Sequence, residues 1–156
     1  ASHLDSGGKA FVFCRDNGRL HRMLNVQRSR TESANNTLRI ELFTTRQELH
    51  VKTMLHFDHF DFFVAPSHER SHWAMGLGLP MFVVNPAIGT FAPLNRTRLL
   101  EAGVGRDLPA HGDAEFSTWL RALRESGALA EMAGRGWGRY PIQGFRAIGE
   151  HLLASS

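Results

Sequence analysis

Asp61-Phe-Phe-Val-Ala-Pro-Ser67, followed by His68–Leu77 and then by Gly78-Leu-Pro-Met-Phe-Val-Val-Asn-Pro86, is the stretch that decides the fold. Phe62–Ala65 and Met81–Val84 are short, continuous apolar runs. The first is stopped by Pro66 and the second is framed by Pro80 and Pro86, which have no N–H for a strand ladder. The stretch from His68 reads as a short helix. Gly76 and Gly78 are poor helix-interior residues and mark its end, and Pro80 forbids continuation. The unit is therefore read as strand, tight exit, short helix, strand. Ser67 is placed at the N-cap, where its hydroxyl satisfies an orphan amide. The amides that follow are a ready anion site. Ligands of open α/β sheets bind beyond the carboxyl ends of the strands, where Ser67–Ser71 should fall.

The same grammar extends outward. Ala10-Phe-Val-Phe-Cys14 is an apolar run that ends in the turn residues Arg15-Asp-Asn-Gly18. Leu38–Phe43 is another, after the polar stretch Thr31–Thr37, and Val104–Leu108 is a weaker fifth. Helical patterns lie between them near 19–27, 46–57, 70–77 and 95–102. Continuous apolar strands alternating with helices mean a parallel sheet covered on both faces. The reading is an α/β, Rossmann-like three-layer domain with a parallel sheet of four to six strands. Extra C-terminal helices follow at Ala114–Glu125 and from Ala128 onward to Leu153. In the first of these Phe116, Trp119, Leu120 and Leu123 share one face, a core stripe. Residues 1–8 are polar and read as a linker or disordered start, and 9–153 as a single domain.

Composition narrows the function classes. Hydrophobic residues make up 42% and charged residues 21%, a balance that argues against disorder. The lone Cys14 excludes an internal disulfide framework and fits a reducing, cytoplasmic setting as a buried small hydrophobe. No apolar run approaches the roughly 18 residues of a membrane span. The net charge is +3. Arginine dominates the basic residues, and Arg15, Arg19, Arg22, Arg28 and Arg30 cluster within one stretch. Arginine forks suit phosphates, but a solvated helix face is the simpler reading of the cluster. The aromatic–basic interleaving of an RNA-binding sheet is missing, so no nucleic-acid partner is expected.

Two histidine patterns need weighing. His68-Glu69-Arg70-Ser71-His72 is a literal HExxH, the string that sets two zinc ligands and a general base on one helical face. Glycines and a proline break this helix within two turns, and no third ligand is evident in the sequence. A zinc hydrolase is thus a remote alternative, and no metal or other cofactor is expected. His56, Asp58, His59 and Asp61 read as surface groups around a turn.

The segment Ala74-Met-Gly-Leu-Gly78-Leu-Pro80, together with the strand-Pro-Ser before it, resembles the donor-binding region of GT-B glycosyltransferases. Asn95–Gly105 resembles the segment that follows in that family, a helix opened by asparagine and ending in Ala-Gly. Leu129–Ala133 and Phe145–Leu153 resemble its closing helices. The resemblance spans residues 9–153 and is strongest over 61–105. It implies the C-terminal half of a two-domain fold, holding a nucleoside-diphosphate sugar, with a UDP-linked donor expected, without a metal. An N-terminal acceptor-binding half, in the same protein or in a partner chain, would supply the catalytic base. The implied donor residues are Ser67, His68, Glu69, Arg70 and Ser71 at the diphosphate, Phe43 and Thr44 at the nucleobase, and Asn95, which either meets ligand or caps its helix. No catalytic residue is assigned in this chain.

The sequence departs from that pattern at two places. Trp73 stands where the family carries an acidic residue for hydroxyls, and Phe91, Ala92 and Pro93 stand where it often carries glutamines. A buried hydroxyl needs a partner. A degenerate, non-catalytic interaction subunit is therefore the alternative reading, with a sugar-nucleotide epimerase half as a less favoured one.

Overall fold

The computed structural model describes residues 8–30, 38–68, 70–109 and 113–141, together with 143, 146, 150, 151, 153 and 154; the side chains of 27–30, 113 and 114 are excepted. The chain divides into two compact units, Ala1–Phe60 with His111–Leu120, and Asp61–Ala110 with Arg121–Ser156.

In the first unit β1 (Ala10–Arg15) runs parallel to β2 (Leu38–Phe43), with Ala10 opposite Leu38 and Arg15 opposite Phe43. The helix α1 (Gly18–Arg30) lies between them in sequence. It starts where Asn17 turns the chain, its side-chain oxygen accepting from the Arg19 amide at 3.0 Å. After β2 comes α2 (Arg46–Met54), with Thr45 as a true N-cap accepting from the Glu48 amide at 3.1 Å. Glu48 reaches back to the Thr44 amide at 2.9 Å and the Thr44 hydroxyl at 3.0 Å, a capping box displaced by one residue. These bonds from Thr44, with Lys52 alongside, hold the Glu48 carboxyl down at about 2. A 3-10 turn, Phe57–His59, follows. Phe11 packs there on His56 at 4.9 Å and edge-on to Phe60 at 5.5 Å. Cys14 is buried, and burial, then the charge of Asp16, raises its thiol pKa, so it behaves as the small hydrophobe expected.

The second unit holds β3 (Phe63–Ala65), β4 (Met81–Val83) and β5 (Gly105–Asp107), all parallel, with β4 central. Pro66, Pro80 and Pro86 bracket β3 and β4 and explain why these strands run only three residues. Crossover helices α3 (Ser71–Leu77) and α4 (Ala92–Glu101) connect them. Met81, Phe82 and Val83 are wholly buried, so both faces of the sheet are covered. Ala74, Leu99 and Val104, also wholly buried, pack with Met81 and Val83 into the core.

α5 (Asp113–Glu125) supplies residues to both units, and α6 (Ala128–Gly136) belongs to the second. On α5 the expected stripe is present: Leu120 and Leu123 are buried, Phe116 and Trp119 partly so, with their rings 5.8 Å apart. α6 meets α3 backbone to backbone. A Cβ at Gly136 would lie 2.0 Å from the Ala74 carbonyl oxygen. Gly78 ends α3 in the left-handed region at φ 67°, 2.8 Å from Ala133 O by the same construction.

The chain is α/β, as the alternation of apolar runs and helical patterns predicts. The strands fall in two small parallel sheets, of two and three strands, where a single sheet of four to six was expected. Helix boundaries also differ, with α2 ending at Met54 rather than at 57. α4 begins at Ala92, three residues ahead of Asn95, because Pro93 sits in the first turn, where a missing N–H costs nothing. α6 stops at Gly136 rather than running on. Trp137 leaves helical geometry at ψ 115°, and the Gly138 amide is drawn to Gly76 O at 3.3 Å. No described helix is long and apolar enough to cross a membrane.

Candidate functional site

The carboxyl ends of β3, β4 and β5 are joined by a polar lattice. Ser67, just past β3, is fully buried and its hydroxyl donates to Ala92 O at 2.7 Å. Asn95, one turn along α4, returns a bond from its side-chain amide to Ser67 O at 3.1 Å. Asp107 at the end of β5 accepts from Asn85, just past β4, at 2.8 Å and from Arg96 Nε at 2.7 Å. Arg96 Nη2 engages the second carboxylate oxygen, which makes the pair bidentate. The start of α4 is thereby tied to the exits of all three strands.

The capping reading is corrected at two residues. Ser67 is not the N-cap of α3; that position is Arg70, with no side-chain cap. The reason lies in the exit from β3. The His68 amide turns back to Pro66 O at 2.8 Å, and His68 O collects both the amide and the hydroxyl of Ser71, at 3.0 and 2.6 Å. A turn therefore intervenes before the helix, and Ser67 faces inward. Asn95 does not cap α4 either, since the helix starts at Ala92; its side chain is a strut to the Ser67 carbonyl.

Of the expected diphosphate residues, His68 is exposed and Arg70 partly buried, while Glu69 lies outside the described residues. The guanidinium of Arg70 sits over the Trp73 ring, 5.1 Å from its centroid. Burial pushes its pKa down from the ordinary arginine value. Among the described residues no carboxylate pairs with it. Trp73, the departure from the acidic position of the family pattern, is itself core: it is buried, with Phe63 5.8 Å away. Phe43 and Thr44 belong to the first unit. Phe43 O accepts from the Asp16 amide at 2.8 Å, and Thr44 is occupied by Glu48.

Of the HExxH string, His68 and His72 do not lie on one helix. α3 begins at Ser71, so His68 precedes the helix that carries His72. Among the described residues no group of three or more His, Cys, Asp or Glu side chains is close enough to hold a metal ion. In the first unit His56 Nε2 lies 3.3 Å from Glu41, and the exposed pair His59 and Asp58 is 3.9 Å apart.

Asn85, Arg96 and Asp107 were missed in the sequence. Asn85 and Asp107 could have been found, since both stand at the carboxyl ends of expected strands. Arg96 is one arginine among many and carries no local signal.

The carboxylates of the fold set its acid response. Arg96, through its hydrogen bonds, holds the Asp107 carboxyl below the ordinary range against the opposing effect of burial, with Asn85 assisting. Burial pushes Glu41 up, but hydrogen bonds and charge from Arg39 and His56 outweigh it and leave it lowered. A carboxyl lowered in the folded state takes up its proton first in the unfolded chain. Its contribution is complete above the unfolded value, about 4, and is lost as pH falls through the folded one. We expect the carboxylate contribution to the urea midpoint to be constant above about pH 5 and to decline below about pH 4; His72, whose pKa burial lowers, adds a separate loss that begins as pH falls below about 6.5. Asp107→Asn should flatten part of the carboxylate decline. The change should be small, because solvent screens a pair whose side chains are 34% and 38% exposed.

Compared with protein-family models, with curated proteins and with solved structures, the chain matches none.

Proposed function

We propose that this chain is the donor-binding half of a GT-B-type glycosyltransferase, taking the diphosphate of a UDP-sugar at the exit of β3. Arg70 carries the reading. It is a partly desolvated guanidinium, stacked on Trp73, with no carboxylate partner among the described residues. A charge removed from water without a counter-ion is costly, and a phosphate restores what was lost through a charge-assisted pair. Exposed His68, beside Gly89, flanks the same exit. Ser67 and Asn95 act here as positioning residues that fix the β3 exit against α4. During transfer Arg70 would offset charge building on the leaving diphosphate. The acceptor and the catalytic base would come from an N-terminal half or a partner chain, so the chain alone should not turn over.

Titration calorimetry with UDP and UDP-sugars tests this. Binding is expected, and Arg70→Ala should weaken it by about 10- to 100-fold, the worth of one charged hydrogen bond. Absence of heat at millimolar UDP would remove the donor site.

A second reading, a non-catalytic interaction subunit, is favoured by a separate observation. The hydroxyls of Ser67 and Ser71 and the amides of His68 and Ser71 are already bonded within the protein. A tight partner complex, with a melting temperature indifferent to nucleotide, would select it.

A further inference from the structure

The arginine cluster near the N-terminus plays no part in the donor reading, and α1 shows how it is arranged. The helix sequence Gly18–Arg30 contains four arginines and a histidine but no aspartate or glutamate. Arg19, Arg22, Met23 and Val26 lie on one side of it, within the roughly 100° arc that i, i+3, i+4 and i+7 spacing covers. They line a shallow surface depression of about 340 Å³. Met23 is 58% and Val26 49% exposed, and Leu20 borders the same side at 38%. Arg15 and Arg19 are exposed at the start of the helix. His21 and Leu24, on the other side, are partly buried and hold the helix to its unit.

A solvated helix face would carry polar residues between its arginines, and this one carries methionine and valine. A single-strand nucleic-acid face would carry aromatic rings for stacking, and none stands on this side; a face for duplex phosphates alone would not carry methionine and valine between its arginines. Alternating cationic and aliphatic side chains match a surface with anionic headgroups over hydrocarbon. We infer that α1 is an interfacial contact by which the protein rests on an anionic lipid bilayer. Arg15, Arg19 and Arg22 meet phosphate or carboxylate headgroups, and Leu20, Met23 and Val26 enter the acyl boundary. The helix lies in the interface plane and does not span. The inference rests on the first unit alone and stands or falls independently of the Arg70 site.

Vesicle co-sedimentation of the full chain tests it, with phosphatidylcholine alone and with phosphatidylcholine containing phosphatidylserine. Binding is expected only to the serine-lipid vesicles. It should fall when salt is raised from about 0.1 M to about 1 M, which cuts the screening length from about 10 Å to about 3 Å. Each arginine near an anionic surface is worth roughly a fivefold change in partitioning. The double variant Arg19→Glu with Arg22→Glu should therefore lose at least about thirtyfold. Met23→Ser should weaken binding without altering its salt dependence, which a purely electrostatic contact would not do. Circular dichroism confirms that the variants remain folded; the salt series needs no variant at all. No binding to serine-lipid vesicles overturns the inference. So does binding that survives both substitutions. A duplex or single-stranded oligonucleotide bound in place of vesicles, with the same sensitivity to charge reversal, overturns it too, as does a shift to dimer that buries Met23.

Discussion

Gly136→Ala should lower the melting temperature by roughly 10 °C, while Gly134→Ala, two residues earlier on the same helix, should leave it unchanged or raise it by a degree or two. Helix propensity alone favours alanine at both positions, by up to about 1 kcal/mol. Surroundings separate them. At Gly134 an added methyl meets nothing within 4 Å, so the propensity gain stands. At Gly136 the methyl carbon would lie 2.0 Å from Ala74 O and 3.2 Å from Gly78 Cα. Both obstacles are backbone, so no rotamer change relieves them. α6 would have to withdraw from α3, releasing Met132 and Ala74 from burial. Overpacking against a rigid neighbour costs about 3 kcal/mol at the upper end of its usual range. For a chain of this size that corresponds to roughly 10 °C. Differential scanning calorimetry of the two variants checks it. Equal melting temperatures would mean that α3 and α6 do not approach as closely as described.

That contact also shows where sequence reading stops. Gly76, Gly78 and Pro80 correctly announce the end of α3, because termination is a local property of the backbone. Nothing local says that Gly136 must be glycine, since its reason is a carbonyl some sixty residues earlier in the chain. Four of the five strands were legible for the same local cause, each an apolar run closed by turn or proline residues, whereas β5 is Gly-Arg-Asp and gave only a weak signal. Pairing is a non-local property, and so the division of five strands into sheets of two and three was not visible. At the candidate site the distinction sharpens. Ser67 after a strand and before a helix has the chemistry of an N-cap, and only the fold reveals Ala92 O as the acceptor its hydroxyl takes instead. Asn95 likewise has the chemistry of an N-cap, but its partner is the carbonyl of Ser67, not an amide of its own helix. Trp73 reads from sequence as a lost carboxylate. In the fold it is a buried ring that supports Arg70, so the position contributes to holding a cation where a hydroxyl partner had been sought.

Phe82→Ala should destabilise the chain by about 3–5 kcal/mol, the largest single side-chain effect expected in it. Phe82 is the largest fully buried side chain among the described residues, at the centre of the middle strand. It points away from the face on which Met81 and Val83 join Ala74, Leu99 and Val104, and lies with its ring 5.1 Å from that of Phe62. Truncation removes its transfer energy and leaves a cavity that three-residue strands pinned by prolines are poorly able to close. Val64, its register partner on edge strand β3, is 45% exposed, and Val64→Ala should cost under about 1 kcal/mol. The contrast has a functional side. β4 carries Asn85 at its carboxyl end and β3 leads into Ser67 and Arg70, so the sheet sets where the Arg70 guanidinium stands. If the cavity loosens that sheet without unfolding it, nucleotide binding measured well below the variant's melting temperature should weaken along with stability. Phe82→Leu, which refills most of the volume, should restore both toward the parent values. Urea unfolding supplies the energies and calorimetry with UDP the affinities. A stability loss for Phe82→Ala no greater than that for Val64→Ala would mean that β4 is not the centre of the core.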